Sequence, residues 1–179
     1  MLEKKKILRK IIKVRVSAIS AEEKAKREKL LLDNLFSMPE FLAAKTVMLF
    51  ANLPDEIGTF SLIDKCIAMG KKVFLPVIEG DEMTACEFKG EYKIGKYDIK
   101  EPLTPTSSLL TPNSIDFILV PGVGFSPSGY RLGRGKGYYD KFLSKYSNLF
   151  TVGVCFREQF YLDIPTAPHD IPMQKVIVC

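Results

Sequence analysis

The sequence predicts an α/β protein, in which helices cover both faces of a largely parallel β-sheet and form one three-layer α/β/α domain over residues 1–179. Apolar runs of strand length alternate with helical patterns along the chain, which is the order of parallel βαβ units. The length of 179 residues and the balance of 46% hydrophobic to 26% charged residues are typical of one globular domain.

The N-terminal part of the chain predicts two helices. Residues 3–18 carry apolar side chains at helical spacing with cations between them, which indicates an amphipathic helix. Ser20 is then expected to be an N-cap, with Glu23 completing a capping box for a second helix that runs to about residue 36. The Met38-Pro39 pair is expected to end that helix, because proline interrupts helical hydrogen bonding.

Strands and helices alternate after that point. The apolar runs that predict buried strands are residues 46–51, 73–78, 116–121 and 150–155. A helix over residues 60–69, ended by Gly70, joins the first two strands, so we expect them to pair in parallel through a right-handed crossover. Residues 83–88 predict an exposed strand, residues 175–178 predict an edge strand, and residues 90–113 are expected to wrap the surface.

Cysteine and histidine usage excludes several kinds of site. Cys66, Cys86, Cys155 and Cys179 are scattered and form no C-x-x-C pair, which argues against a zinc ribbon and is typical of a reducing cytoplasm. His169 is the only histidine, so a multi-histidine metal site is impossible. No G-x-S-x-G elbow is present, and no apolar run approaches the roughly 20 residues that cross a membrane.

Positive charge is concentrated at the N-terminus. The net charge is +5, and the first fifteen residues contribute Lys4, Lys5, Lys6, Arg9, Lys10, Lys13 and Arg15. Such a run is most often a solvated helix face. The alternative is contact with an anionic partner, either nucleic acid or a phosphorylated, carboxylate-rich small molecule.

The long loop after the third buried strand carries the candidate chemistry. It reads P-G-V-G-F-S-P-S-G-Y-R-L-G-R-G-K-G-Y-Y over residues 121–139 and leads into a helix predicted over residues 138–147. Gly133, Gly135 and Gly137 alternate with Arg134 and Lys136. Glycines let backbone N–H groups approach an anion, and a helix N-terminus adds partial positive charge, so the loop predicts a polyphosphate site.

Two well-known phosphate motifs do not describe this loop. A Walker A loop requires G-x₄-G-K-[ST], but Gly129 is one place too early and Gly137 replaces Ser or Thr. The dinucleotide pattern G-x-G-x-x-G is also not met. A flexible surface loop with solvated cations is the alternative interpretation, although loops this long are uncommon in compact domains unless they are functional or disordered.

The stretch G-Y-R-L-G-R-G-K-G-Y-Y-D, residues 129–140, resembles the signature of the 5-formyltetrahydrofolate cyclo-ligase family. Four further segments match that family in order and spacing: K-K-I-L-R at 5–9, P-D-E-I-G-T at 54–59, P-G-V-G-F at 121–125 and H-D-I-P-M at 169–173. The resemblance spans nearly the whole chain. It implies a Rossmann-like fold related to the sugar-phosphate isomerase and CoA-transferase superfamily.

The resemblance implies an enzyme that closes 5-formyltetrahydrofolate to 5,10-methenyltetrahydrofolate with ATP and Mg²⁺, releasing ADP and phosphate. ATP would phosphorylate the formyl oxygen, and N10 would then attack the activated carbon. By resemblance, Arg134 and Lys136 are the catalytic charge clamp and Asp140 and Asp170 are the Mg²⁺ ligands. The partners expected are these small molecules, with no nucleic acid and no membrane.

The resemblance implies two overlapping sets of binding residues. The positions that match ATP-binding residues are Lys5, Lys6, Arg9, Arg131, Leu132, Gly133, Arg134, Gly135, Lys136, Gly137, Tyr138 and Tyr139. The positions that match folate-binding residues are Leu53, Glu56, Gly58, Arg134, Gly135, Lys136, Gly137 and Tyr138. The chain departs from the family at Gly58, where an acidic residue is usual, and at Gln174, where Asp is usual.

Other interpretations of these residues stay open at this point. Lys5 and Arg9 lie four apart, which is also typical of a solvated helix face, and Leu53 also fits simple loop packing. Tyr139 fits core packing at a helix start, and Asp140 fits a first-turn residue favoured by the helix dipole. A nucleotide-independent isomerase on the same fold and a nucleic-acid-binding module are the rival functions, and we expect a monomer or weak homodimer in the cytoplasm.

Overall fold

The computed structural model describes residues 2–94, 100–103, 115–146 and 148–179. Its helices are α1 (Leu2–Ser17), α2 (Ala21–Phe36), α3 (Pro39–Ala43), α4 (Phe60–Ala68) and α5 (Tyr138–Leu143), with a 3-10 helix at Arg157–Gln159. Its strands are β1 (Thr46–Met48), β2 (Lys72–Glu79), β3 (Glu82–Phe88), β4 (Tyr92–Ile94), β5 (Lys100–Pro102), β6 (Phe117–Val120), β7 (Gly124–Phe125), β8 (Arg131–Leu132), β9 (Phe150–Cys155) and β10 (Lys175–Val178).

Six strands form the central sheet, in the order β10-β9-β6-β1-β2-β3. Each neighbouring pair runs parallel except β2 and β3, which are antiparallel. The predicted parallel pairing of the first two strands is confirmed, with Val47 opposite Val73. The largely parallel sheet is therefore as predicted, and β10 forms one of its edges.

Alternate residues of the parallel strands face two separate apolar clusters. Val47 and Phe117 pack in the cluster that also contains buried residues of α1, α2, α3 and α4. Met48 and Ile118 pack in the opposite cluster, which contains Phe142 of α5. Side chains of successive strand residues point to opposite faces, so both faces of the sheet are covered and the three-layer prediction is confirmed.

The ends of the first helices follow the sequence signals in most respects. Ser20 caps α2 by accepting a hydrogen bond from the Glu23 backbone N–H at 3.2 Å. The Glu23 carboxylate pairs with Arg27 at 2.9 Å, and this ion pair replaces the expected capping box. Helix α2 ends shortly before Pro39, as predicted. Pro39 is also the first residue of the short helix α3, which the sequence did not predict.

Two predictions about the middle of the chain need correction. The predicted exposed strand, β3, is largely buried, because it pairs along its full length with β2 and packs against α5. Helix α5 ends at Leu143, short of the predicted end at residue 147, which lies outside the described residues. Within residues 90–113, the described parts form an antiparallel pair, β4 with β5, while residues 95–99 and 104–113 lie outside the description.

The loop at residues 122–137 is not structureless. Gly124 and Phe125 of β7 pair with Leu132 and Arg131 of β8 in a small antiparallel ribbon. The ribbon turns the chain back over the carboxyl ends of the parallel strands, where α5 then begins. In the part of the chain that the structure describes, no helix combines the length and the apolar character required to span a membrane.

Candidate active site

A cleft of about 360 Å³ lies at the carboxyl ends of the parallel strands β1 and β6. This is the edge of an open α/β sheet where ligands usually bind. Residues predicted from the sequence form much of its lining: Leu53, Glu56, Arg131, Gly133, Arg134, Lys136, Gly137, Tyr138, Tyr139 and Asp140. The loop after β1 and the glycine-rich loop therefore face each other across one cavity.

The floor of the cleft was missed by the sequence analysis. It is mainly apolar and consists of Phe50, Ala51, Pro76, Ile78, Met83, Pro121 and Gly122. Ile78 is 54% exposed near the end of β2, so the cleft keeps apolar surface accessible. The signal available in the sequence was position alone, since most of these residues lie near or just beyond the carboxyl ends of predicted strands, with Met83 at the start of the next one.

Arg131 and Asp140 form an ion pair at the inner end of the cleft. Arg131 Nη2 lies 2.8 Å from Asp140 Oδ1, and the Arg131 side chain is only 3% exposed. The guanidinium also lies over the Tyr139 ring, 5.6 Å from its centroid. Arg131 Nη1 is buried and has no hydrogen-bond partner among the described residues, so the side chain retains a donor for a bound anion.

Asp170 pairs with the N-terminal helix. Lys5 Nζ lies 2.7 Å from Asp170 Oδ2, and both side chains are mostly buried. The Ala167 backbone N–H also donates to Asp170, at 2.8 Å. Burial alone would raise the pKa of Asp170, but Lys5 and the Ala167 N–H outweigh it and lower the pKa. The carboxylate is therefore held charged.

One predicted metal ligand, Asp140, contacts the backbone beside the other, Asp170. The Ile171 N–H, which directly follows Asp170, donates to Asp140 Oδ1 at 3.3 Å. Among the residues that the structure describes, no three His, Cys, Asp or Glu side chains lie together in a way that could hold a metal ion. Mg²⁺ is usually bound by one or two carboxylates together with phosphate oxygens of the substrate.

Arg134 bridges the glycine-rich loop to the loop after β1. Its Nη2 lies 2.7 Å from Asp55 Oδ1 and 3.0 Å from Glu56 Oε1. Burial alone would lower the pKa of Arg134, but the two carboxylates raise it. Glu56 is anchored a second time, because its Oε2 accepts from the Leu53 backbone N–H at 2.9 Å.

The remaining predicted cations are in different environments. Arg9 Nε donates to the Gly133 carbonyl at 2.8 Å, and Arg9 lines a smaller cavity of about 150 Å³ together with Arg134. Lys136 lines the large cleft, is exposed and has no carboxylate partner among the described residues. Lys6 is exposed on α1 and lines neither cavity, so the structure does not bring it to the site.

The other predicted residues of the glycine-rich loop differ in whether they line the cleft. Tyr138 lines the cleft and its hydroxyl contacts the Gly80 carbonyl at 3.4 Å. Tyr139 also lines the cleft, and burial and the neighbouring Glu56 raise its pKa. Leu132 is fully buried behind the loop, and Gly135 lies near Arg9 with a φ of +109°. Neither Leu132 nor Gly135 lines the cleft, so the structure does not bring these two predicted residues to the cavity wall.

Gly129 holds the C-terminal segment against the loop. Its carbonyl accepts a hydrogen bond from the Met173 N–H at 2.9 Å, and its φ is +83°. A Cβ at this position would overlap the Met173 carbonyl. Only glycine fits this approach without displacing the segment that carries Asp170.

The two departures from the family pattern have local explanations. A side chain at Gly58 would overlap the carboxylate of Glu28, which extends from α2 and bonds to the Ser61 hydroxyl. Gln174 does not line the cleft; its Oε1 accepts from the Thr151 backbone N–H of β9 at 2.7 Å. Gly58 also lies outside the cleft lining.

The fold and the site define a Rossmann-like α/β protein with a cleft lined by the cations Arg131, Arg134 and Lys136 at the carboxyl ends of its parallel strands. The chain belongs to the 5-formyltetrahydrofolate cyclo-ligase family, whose sequence model matches residues 1–179. It is 31% identical to the probable 5-formyltetrahydrofolate cyclo-ligase of Caenorhabditis elegans, over 98% of this chain and 92% of that protein. It is 30% identical to the 5-formyltetrahydrofolate cyclo-ligase of Mus musculus, over 97% of this chain and 92% of that protein.

Solved structures agree with the sequence relatives. The 5,10-methenyltetrahydrofolate synthetase of Aquifex aeolicus superposes with a TM-score of 0.83 at 32% identity, covering 97% of this chain and 89% of that one. The 5,10-methenyltetrahydrofolate synthetase of Mycoplasma pneumoniae superposes with a TM-score of 0.79 at 25% identity, covering 97% of both chains. The family resemblance and the enzyme class that it implied are confirmed.

Proposed function

We propose that this protein converts 5-formyltetrahydrofolate to 5,10-methenyltetrahydrofolate in a reaction that consumes ATP, requires Mg²⁺ and releases ADP and phosphate. The observation that carries the proposal is the single cleft in which the family's signature loop faces the loop after β1. The buried, unpartnered Nη1 of Arg131 supports an anionic ligand at the inner end of that cleft.

The proposed chemistry asks the protein to position two ligands and balance phosphate charge. An amide-like formyl group is a poor electrophile, so its oxygen first takes the γ-phosphoryl group of ATP. N10 then attacks the formyl carbon and loses its proton, while phosphate leaves with the former formyl oxygen. Such phosphoryl transfer needs orientation and charge stabilisation, and it needs no side-chain nucleophile.

Cations of three elements would hold the phosphates. Arg134 and Lys136 line the cleft from the glycine-rich loop and would clamp the transferring phosphoryl group. Arg131 would use its free Nη1, and Arg9 of α1 would extend the site through the smaller cavity. Lys5 would contribute from the same helix face as Arg9, and Lys6 would need a local movement of α1 to join them.

Asp140 and Asp170 would bind the Mg²⁺ ion. The Asp140 carboxylate accepts a hydrogen bond from the N–H of Ile171, the residue after Asp170, and both carboxylates are the hard oxygen donors that Mg²⁺ prefers. Bound Mg²⁺ would neutralise developing phosphate charge. The residues therefore fit the metal, provided that Arg131 and Lys5 yield their carboxylates when phosphate oxygens arrive.

The folate would occupy the wider part of the cleft. Its apolar floor, which includes Phe50, Met83 and Pro121, suits a flat heteroaromatic ring. Glu56 would accept hydrogen bonds from the pterin amino group and ring N–H. Tyr138 and Leu53 would contact the substrate from opposite walls.

A spectrophotometric assay tests the proposal. Purified protein should form methenyltetrahydrofolate from 5-formyltetrahydrofolate only when ATP and Mg²⁺ are both present, with one ADP released per product. Product that forms equally well without ATP would contradict the proposal, and so would an absence of product under all conditions. A monomer or weak homodimer, a cytoplasmic location and the lack of a nucleic-acid partner stay predictions.

A further inference from the structure

Arg134 stands between the two cavities of the site. Its side chain lines both the cleft of about 360 Å³ and the smaller cavity of about 150 Å³. Asp55 lines the smaller cavity, whereas Glu56 lines the larger cleft. One guanidinium thus separates two spaces, and a carboxylate holds it from each side.

The two carboxylates are held very differently. Glu56 is 10% exposed and keeps a second anchor, the Leu53 N–H, so it stays in place if Arg134 moves. Asp55 is 43% exposed, and within the described part of the chain Arg134 is its only ion-pair partner. Asp55 is therefore a partner that Arg134 can release at small cost, because exposed ion pairs contribute little.

We propose that Asp55 is a positioning residue that competes with the bound anion for Arg134. It holds the guanidinium between the two cavities until a polyphosphate displaces it. This inference rests on the proposed function, which places phosphates at Arg134. It predicts that removing the Asp55 carboxylate tightens the binding of polyphosphate, whereas a residue that merely supports the loop would weaken binding when it is removed.

The test uses titration calorimetry with inorganic tripolyphosphate, without metal, on the full-length protein. Asp55→Asn should lower the Kd by roughly two- to fivefold, the range that one exposed ion pair can supply. Asp33→Asn is the matched control, because Asp33 forms a similar exposed pair with Lys29 at 2.7 Å on α2. The control should leave the Kd unchanged, since it removes the same charge away from the cleft.

A double-mutant cycle separates competition for Arg134 from simple charge repulsion. In an Arg134→Gln background, Asp55→Asn should give no further tightening, because the residue for which Asp55 competes has been removed. Tightening that persists there would overturn the proposal, as would an equal or higher Kd for Asp55→Asn alone. Absence of tripolyphosphate binding by the natural protein would also overturn it. The methenyltetrahydrofolate assay reports separately whether the proposed reaction occurs.

Discussion

Arg131 and Asp140 neutralise each other at the inner end of the cleft, with 2.8 Å between Nη2 and Oδ1. Arg131 is a predicted phosphate-binding cation, and Asp140 is a predicted metal ligand. The same relationship holds for Lys5 with Asp170. Arg134 pairs in a similar way with Glu56, a predicted folate-binding residue. Without ligand, the cations proposed to bind phosphate are thus paired with carboxylates of the site, so the most buried of these charges, on Arg131, is not left unpaired.

Asp140→Asn should weaken activation by Mg²⁺ strongly, because the amide keeps the shape but loses the charge that holds a hard cation. Excess Mg²⁺ should partly restore the rate. The substitution should also lower the free energy of unfolding by about 1–3 kcal/mol, since Arg131 loses a charged hydrogen-bond partner. The measurement is rate against Mg²⁺ concentration for both proteins. Superimposable activation curves would show that Asp140 serves only the ion pair and the helix start.

Arg134→Ala and Lys136→Ala should each lower kcat by roughly 10²-fold or more, as the loss of a preorganised charge donor does. The melting temperature should barely move, because both side chains are exposed and the ion pairs of Arg134 are worth about 1 kcal/mol or less. Steady-state kinetics and thermal unfolding check the two parts. A variant that retains near-full activity would remove its residue from the clamp.

Gly129→Ala should destabilise the protein far more than a glycine substitution at an open site. Gly70→Ala is the matched control, because Gly70 has a φ of +75° but nothing within 4 Å of the added Cβ. Both variants incur about 1–2 kcal/mol of left-handed strain, and Gly129→Ala alone also displaces Met173. Urea unfolding should therefore show the larger loss at Gly129. Equal midpoints would mean that the Gly129–Met173 contact is loose.

The Lys5–Asp170 pair should make stability depend on pH. The folded-state pKa of Asp170 is lowered, so the pair stabilises the protein above the ordinary aspartate pKa of about 3.9 and loses this effect as the pH falls through the folded-state value. Lys5→Met should cost about 1–3 kcal/mol at pH 7 and progressively less as the pH falls below the ordinary aspartate pKa of about 3.9. The comparison is made at pH 7 and near pH 3. Urea unfolding at both pH values measures the difference. A cost independent of pH would contradict the pairing.

Local patterns in the sequence predicted the parallel strands and the first helices well. The runs containing Val47, Val73 and Phe117 are apolar because strands between two helical layers are buried on both faces. The exposure of β3 was predicted wrongly. Polar residues such as Glu82, Thr84 and Glu87 are interspersed along it, but Met83 and Ala85 are buried in the cluster that contains Phe142 of α5, a distant helix. Tertiary contacts of this kind leave no local signal.

The candidate site was also predictable where a local sequence pattern marks it and not where it depends on tertiary contacts. Most of the predicted residues in the glycine-rich signature line the cleft, because its spacing is local, whereas Leu132 and Gly135 do not. The ion pairs could not be predicted, as Lys5 and Asp170 are 165 positions apart in the chain. Arg134 and Asp55 likewise meet only because two loops at the end of the sheet face each other. The docking of Met173 on Gly129 has no spacing signal either, although the glycine itself was part of the signature.

The central claim is that the formyl oxygen is phosphorylated before the ring closes, and the fate of that oxygen tests it most directly. 5-Formyltetrahydrofolate labelled with ¹⁸O in the formyl group should be converted with ATP and Mg²⁺ in unlabelled water, and the released phosphate analysed by mass spectrometry. The account predicts one ¹⁸O atom in each phosphate formed. Unlabelled phosphate, with the ¹⁸O recovered in water, would contradict it, because ATP would then be hydrolysed without activating the formyl group.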